Sequence, residues 1–178
     1  LSNLDVSSVT TMYCMFRNCS KLESLDLSNW DVSSVTTMSG MFTNCGALVD
    51  LDISTWKFDS LTSCGGNSSG MFAGCKMLKS DKFPVFDIPN VTEASRMFNE
   101  CHAITELHFK NAGGIRRMND GYTNGTFIYS SSLVKVTGID FSGLSNDLTE
   151  FTTIDAWGPI EEFTITGNIY RSIYIKTE

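Results

Sequence analysis

Apolar and polar positions recur along this chain with a period of about 26 residues. Phe16, Phe42, Phe72, Phe98 and Phe127 are separated by 26, 30, 26 and 29 residues. An aliphatic residue follows each phenylalanine after six positions, and a cysteine follows the first four after three positions. Units that recur in this way bury their apolar faces against their neighbours. The pattern therefore predicts about five stacked repeats that share one core.

The first half of a repeat has the pattern of a strand. Leu22, Leu25 and Leu27 follow the spacing L-x-x-L-x-L, whose last part alternates apolar and polar residues as a half-buried strand does. Strands that recur at a fixed period are expected to pair in parallel, with equivalent residues about 4.8 Å apart. Asp26 and its counterparts are then predicted to point away from the core.

The second half of a repeat has apolar residues at steps of three and four, from Val35 to Cys45. This spacing is typical of one face of a helix, and the hydroxyls of Ser33 and Ser34 are suited to cap its first turn. Gly40 and the threonines weaken a helix, so the pattern predicts a short α-helical or 3₁₀ segment. The Met–Phe pairs of successive repeats, ending at Thr126 and Phe127, are predicted to form the central packing column.

The predicted fold class is an α/β repeat, a right-handed solenoid with a parallel β-sheet and short helical or 3₁₀ segments. The array is predicted to occupy residues 1–138. Residues 139–178 lose the period but keep two β-rich runs. They are interpreted either as decayed repeats or as a β-rich cap of the same domain.

The repeat units LDLSNWDVSSVTTMSGMFTNCGAL and LSNLDVSSVTTMYCMFRNCSKL resemble the surface-protein repeat of bacterial BspA-like leucine-rich-repeat proteins. The resemblance is most specific at residues 29–32 and 38–45 and covers about residues 1–135. It implies a leucine-rich-repeat array that is extracellular or at the bacterial cell surface, often secreted or lipid-anchored. Adhesion to host or matrix proteins is described for some members, and the family has no catalytic residues to transfer.

Charge and hydropathy exclude two classes of partner. The net charge of −7 and the sequence pI of about 4.8 leave no basic footprint for nucleic acid. No apolar run reaches the length of about 18 residues that a membrane span requires. This segment is therefore expected not to insert into a membrane, and a lipid anchor would lie outside it. The chain begins at Leu1 without an initiator methionine, so part of the parent protein is expected to lie outside this sequence.

The cysteines are interpreted as core residues, because most of them occupy one apolar slot of the repeat. They lie at Cys14, Cys19, Cys45, Cys64, Cys75 and Cys101. The alternative is one or two disulfides between adjacent repeats. Their spacing lacks the close pairs of a zinc site, so no metal and no cofactor is predicted. A Cys101–His102 nucleophile is disfavoured because a buried thiol is inert, and the chain is predicted not to be an enzyme.

The outward face of the predicted sheet is the candidate binding surface, since repeat arrays use such extended faces to bind ligands. The alternatives are a merely solvated face and a calcium site formed by the three aspartates. The candidate ligand-binding residues are Asp26, Asp50, Asp52, Lys82, Glu106, His108 and Lys110.

Trp30, Trp56 and Phe86 share a column just after the strand and are interpreted as structural. A carbohydrate platform is the alternative and needs at least two rings open to solvent. The predicted function is a non-enzymatic module that binds a host or matrix protein or a glycan at the cell surface. The alternative is a structural spacer that presents another domain and has no ligand of its own.

Overall fold

The computed structural model describes residues 1, 3–66, 69–112, 130–140, 155–157, 161–166 and 174–176. Strands in these ranges are short, and each of the first repeats contributes one. They are β1 (Ser24–Asp26), β2 (Asp50–Asp52), β3 (Phe86–Asp87), β4 (Glu106–Lys110), β5 (Lys135–Asp140), β6 (Asp155–Trp157), β7 (Glu162–Thr166) and β8 (Tyr174–Lys176).

The strands form small sheets in which the described pairs are parallel, as the sequence predicts. β1 pairs with β2, and Leu25 lies opposite Leu51, its counterpart one repeat later. A second sheet has the order β3-β4-β5-β7, and β6 pairs with β8. Because β7 lies beside β5, the second sheet continues beyond residue 138 into the region that loses the period.

Successive repeats are also joined at a second place. Parallel bridges connect Thr11 with Thr37, Thr37 with Ser63, and Ser63 with Glu93. The first two partners are 26 residues apart, like the partners in β1 and β2. The first repeat therefore pairs with the second both at its strand and at the start of its second half.

The short α-helical or 3₁₀ segment predicted for each repeat is wrong for the first four repeats, whose described residues form turns instead. The segment of the fifth repeat lies outside the described residues. Residues 38–45 form consecutive turns instead. The amide of Cys45 donates to the Phe42 carbonyl, whereas the amide of Phe42 donates to the Met71 carbonyl of the next repeat at 2.8 Å. Gly40 (φ 69°) and Asn44 (φ 62°) have left-handed backbone conformations, which a right-handed helix cannot accommodate. The three- and four-residue steps still identify buried positions, because tandem turns return side chains to the core at the same spacing.

The predicted packing column is present among the described repeats. The rings of Phe16, Phe42, Phe72 and Phe98 stack at successive centroid distances of 5.4, 5.6 and 5.2 Å. Phe42, Phe72 and Phe98 are fully buried, and so is the methionine that precedes each of them. Met15, beside Phe16, is 43% exposed. The predicted end of the column at Thr126 and Phe127 lies outside the described residues.

An irregularity in the third repeat divides the sheets. The amide of Ile53 donates to the Lys82 carbonyl, which places Phe83 beside Ile53. On the side of this repeat that faces β4, however, the paired residue is Phe86, which lies opposite Phe109. The three-residue shift includes Pro84, which has no amide to donate to a sheet. This repeat also lacks the Leu-Asp-Leu-Ser pattern, so the break in the sheet follows the break in the sequence.

Replacing Gly70 by alanine is expected to lower the free energy of unfolding by about 3 kcal/mol or more. A Cβ at Gly70 would overlap the backbone oxygen and carbon of Arg96 in the next repeat, and backbone atoms cannot move aside as a side chain can. Gly66→Ala is the matched control, because a Cβ at Gly66 meets no atom within 4 Å. Urea unfolding of both variants measures the difference, and equal stability would contradict close packing of these two repeats.

Candidate functional site

A groove of about 570 Å³ lies on the outward face of β1 and β2. Four predicted site residues line it: Asp26, Asp50, Asp52 and Lys82. Ser24, Leu25, Ser28 and Asn29 complete most of its wall. The parallel register of the two strands explains the arrangement, since Asp26 lies opposite Asp52 and Ser24 lies opposite Asp50.

Lys82 supplies the positive charge in the groove. Its Nζ lies 3.0 Å from Oδ1 and 3.1 Å from Oδ2 of Asp50. This hydrogen bond, with the attraction of the carboxylate, raises the pKa of Lys82. Both side chains are about half exposed, at 48% and 54%, so the pair is open to a competing ligand. The lysine occupies a position of the irregular third repeat that corresponds to Asp26 and Asp52.

Asp26 and Asp52 also stabilise the chain after each strand. Oδ1 of Asp26 accepts hydrogen bonds from the Ser28 amide at 2.9 Å and from the Ser28 hydroxyl at 2.7 Å. Asp52 accepts the same two bonds from Ser54. The hydroxyl bond, followed by the amide bond, lowers the pKa of Asp26. These are Asx turns, so one oxygen of each carboxylate already has a structural partner.

This structural role was missed in the prediction of the binding face, although the sequence carries a signal for it. Asp-x-Ser recurs at Asp5, Asp26, Asp31 and Asp52. Asp5 makes the same pair of bonds to Ser7, at 3.0 and 2.7 Å, yet it does not line the groove. A repeated Asp-x-Ser after a strand is therefore better evidence for a turn than for a binding site.

The other predicted site residues lie on β4, in the second sheet. His108 contacts the Thr137 hydroxyl through Nδ1 at 2.8 Å and lies 3.5 Å from Glu106 through Nε2. Lys110 is 3.5 Å from Asp87. Glu106, His108 and Lys110 do not line the groove. The structure therefore places the seven candidates in two groups, and their role in binding stays a prediction.

The three aromatic residues of the predicted column are buried, which agrees with their structural interpretation. Phe86, however, lies within β3 and not after the strand, so the predicted position is wrong for this residue. Trp30, Trp56 and Phe86 are 3%, 4% and 0% exposed. Nε1 of Trp56 donates to the Leu27 carbonyl of the preceding repeat at 3.0 Å. None of the three rings is open in the way that a carbohydrate platform requires.

The cysteines are free thiols, as predicted, and four of them are buried: Cys45, Cys64, Cys75 and Cys101. Cys14 is half-buried and Cys19 is exposed, so the prediction that they lie in the core is wrong for these two. Cys45, the counterpart of Cys19 in the second repeat, is covered by the first repeat, and its Sγ donates to the Phe16 carbonyl.

Three buried thiols form one line of hydrogen bonds. The Sγ atoms of Cys45, Cys75 and Cys101 donate to the carbonyls of Phe16, Phe42 and Phe72, at 3.0, 3.0 and 3.1 Å. Ser130 takes the same slot in the fifth repeat, and its hydroxyl donates to the Phe98 carbonyl at 2.8 Å.

Burial raises the pKa of Cys45 to about 11 and that of Cys101 further. Cys101 therefore lacks the lowered pKa and the exposure of a nucleophilic thiol. The neighbouring His102 contacts the Ser131 hydroxyl at 3.3 Å.

No group of His, Cys, Asp or Glu side chains in the described part of the chain is arranged to hold a metal ion. The calcium alternative at Asp26, Asp50 and Asp52 thus has no support, and Asp50 is paired with Lys82 instead. Across the same ranges, no helix has the length and apolar content to cross a membrane.

A family model described as "Mycoplasma protein of unknown function, DUF285" matches residues 1–112. The match covers more than half of the 178 residues. The chain belongs to the DUF285 family. The region matched by DUF285 contains all seven candidate site residues and all six cysteines. No curated protein and no solved structure matches the chain.

Proposed function

We propose that this chain is a non-enzymatic, cell-surface leucine-rich-repeat module of the BspA-like type. It binds a host or matrix protein, or a glycan, through the outward face of its sheet. The observation that carries the proposal is the groove on β1 and β2, where three carboxylates and a lysine face solvent. The most recurrent residues of the repeat, such as Met41, Phe42 and Cys45, are fully buried and are not available to a ligand.

The proposed architecture is a right-handed solenoid. It is supported by parallel pairing at two places between the first and second repeats and by a continuous stack of four phenylalanines, three of which are fully buried. In such an array, neighbouring repeats present side chains of one face in rows, and the residues of these rows can vary without disturbing the core.

Charge favours a basic partner for this groove. Asp26, Asp50 and Asp52 carry three negative charges and Lys82 carries one positive charge, so these four side chains leave the groove with a net charge of −2. Lysine or arginine side chains of a protein ligand complement this surface better than a neutral sugar does. A partner that supplies an ammonium or guanidinium group can also compete with Lys82 for Asp50.

The proposal predicts that Asp26→Asn/Asp52→Asn weakens binding of the ligand about five- to thirtyfold, because each substitution removes one negative charge that faces the partner. Asparagine keeps an oxygen that accepts the Ser28 and Ser54 bonds, so the turns remain while the charges are lost. A matrix-protein and glycan array probed with the purified chain identifies the ligand, and titration of each variant then measures its affinity.

Asp5→Asn is the control for this experiment, because Asp5 makes the same turn outside the groove. It should leave the affinity unchanged. If the double variant binds as tightly as the original chain, the groove is not the binding surface.

The spacer function is the second candidate, and one observation favours it. Charges on the outward face are already partnered within the chain, as Asp50 is by Lys82 and Asp26 is by Ser28. A spacer would give no hit on the array. Deleting one 26-residue repeat from the parent protein would still change how far its other parts extend.

A further inference from the structure

Lys82 belongs to the same row of side chains as Asp26 and Asp52. The three residues occupy one position of successive repeats, at intervals of 26 and 30 residues, and all three line the groove on β1 and β2. The first two repeats have a carboxylate at this position, whereas the third has an ammonium group. Lys82 therefore places a cation in a row that is otherwise acidic.

The backbone of Lys82 is fixed beside β2. The amide of Ile53 donates to the Lys82 carbonyl at 3.4 Å. Phe83, the next residue, packs on Phe72 in the core at a ring distance of 5.2 Å. The lysine side chain can change rotamer, but its ammonium group stays within reach of the groove because the backbone holds it there.

Lys82 contacts both oxygens of one carboxylate. Its Nζ lies 3.0 Å from Oδ1 and 3.1 Å from Oδ2 of Asp50. The hydrogen bond to Asp50 is the largest cause of the raised pKa of Lys82, and the negative charges of Asp50, Asp52 and Asp26 add to it. Asp26 and Asp52, in contrast, each give Oδ1 to a serine and keep a second oxygen for a ligand. We call the part of the groove at Asp50 the Asp50 subsite.

Strand geometry determines the spacing of the three carboxylates. Asp26 and Asp52 lie opposite each other on paired strands, which are about 4.8 Å apart. Asp50 lies two residues before Asp52 on β2, a separation of about 6.6 Å along a strand. An extended ligand has the same interval between alternate side chains. Two basic side chains at alternate positions of a ligand therefore match the Asp26–Asp52 pair and the Asp50 subsite.

We propose that Lys82 is a tethered competitor that closes the Asp50 subsite to the basic side chains of a ligand. This inference rests on the proposed binding function of the groove. A ligand with one cationic group binds at Asp26 and Asp52 and leaves Lys82 in place. A ligand with a second cationic group has to displace Lys82, whose effective concentration at Asp50 is high because the chain holds it there. Lys82 thereby determines how many basic side chains the groove accepts.

Two peptides with neutral ends test the proposal. Acetyl-Arg-Gly-Arg-amide carries two guanidinium groups at alternate positions, and acetyl-Gly-Gly-Arg-amide carries one. Chemical-shift titration of the whole chain at low ionic strength, where exposed charges are least screened, measures the affinity of each peptide. Lys82→Met removes the competing cation and keeps an unbranched side chain. Lys79→Met is the matched control, because it removes the same charge from an exposed lysine outside the groove.

We expect Lys82→Met to raise the ratio of the two affinities, two guanidinium groups over one, about three- to tenfold. The ratio rises because only the peptide with two guanidinium groups uses the opened Asp50 subsite. A general loss of positive charge would strengthen both peptides alike and leave the ratio unchanged. Lys79→Met should keep the ratio of the original chain.

Titration of Asp26→Asn/Asp52→Asn with the same peptides separates this inference from the proposed function. If the double variant weakens binding of both peptides but Lys82→Met leaves the ratio unchanged, the groove binds basic ligands and Lys82 does not close the Asp50 subsite. That result overturns the inference alone. If the double variant binds both peptides as the original chain does, the groove is not a site for basic ligands, and both proposals are overturned.

Discussion

Replacing Phe72 by alanine is expected to lower the free energy of unfolding by about 3–5 kcal/mol. Phe72 is fully buried and lies between the rings of Phe42 and Phe98, at 5.6 and 5.2 Å. Phe83 packs on it at 5.2 Å. Truncation leaves a cavity with rings on several sides, and the repeats cannot close it without breaking the backbone bonds that set their spacing. Urea unfolding followed by tryptophan fluorescence measures the loss.

Phe16→Ala is the matched control, since it removes the same residue from the first repeat. Phe16 is only partly buried and stacks on Phe42 from one side, at 5.4 Å. We expect its loss to cost about 1–2 kcal/mol, because less apolar area leaves water when it packs. Equal costs for the two variants would show that the phenylalanine column does not determine stability.

The period of the sequence predicts most of what determines the core. Leu27, Val35 and Phe42 are buried as their spacing indicates, and the offset between β1 and β2 equals the period. The period does not predict the local backbone. Steps of three and four residues fit a helix and a series of turns equally well, and the left-handed positions that decide between them include Arg96 and Glu100. These residue types do not normally signal such a conformation.

The candidate site divides in the same way. Alternation along the strands predicts that Asp26 and Asp52 point outward, and both line the groove. The pairing of Lys82 with Asp50 depends on how the irregular third repeat packs beside β2, and no local sequence pattern predicts that packing. The same irregularity separates the groove from His108 and Lys110. One row of charges in the sequence therefore becomes two groups, because a shift of three residues near Pro84 ends one sheet and begins another.

Alkaline pH is expected to destabilise this chain through its buried thiols. Desolvation raises the pKa values of Cys75 and Cys101 well above their ordinary value of 9.0. Below about pH 9, the folded and unfolded states both hold these protons, and the thiols have no effect on stability. Above it, the unfolded chain releases them while the folded chain retains them. The free energy of unfolding then falls by roughly 1.4 kcal/mol per pH unit for each such thiol.

Serine at these two positions should remove their share of this effect and preserve the fold. The fifth repeat already holds Ser130 in the slot, with the same hydrogen bond to a phenylalanine carbonyl, and a hydroxyl does not ionise in this range. We expect Cys75→Ser/Cys101→Ser to abolish a loss of roughly 3 kcal/mol in the free energy of unfolding between about pH 8 and pH 10, measured by urea unfolding across this range. Cys19→Ser, at an exposed thiol, should leave the slope unchanged. An unaltered slope in the double variant would mean that these two sites open to solvent before the chain unfolds, so that their ionisation is not coupled to global unfolding.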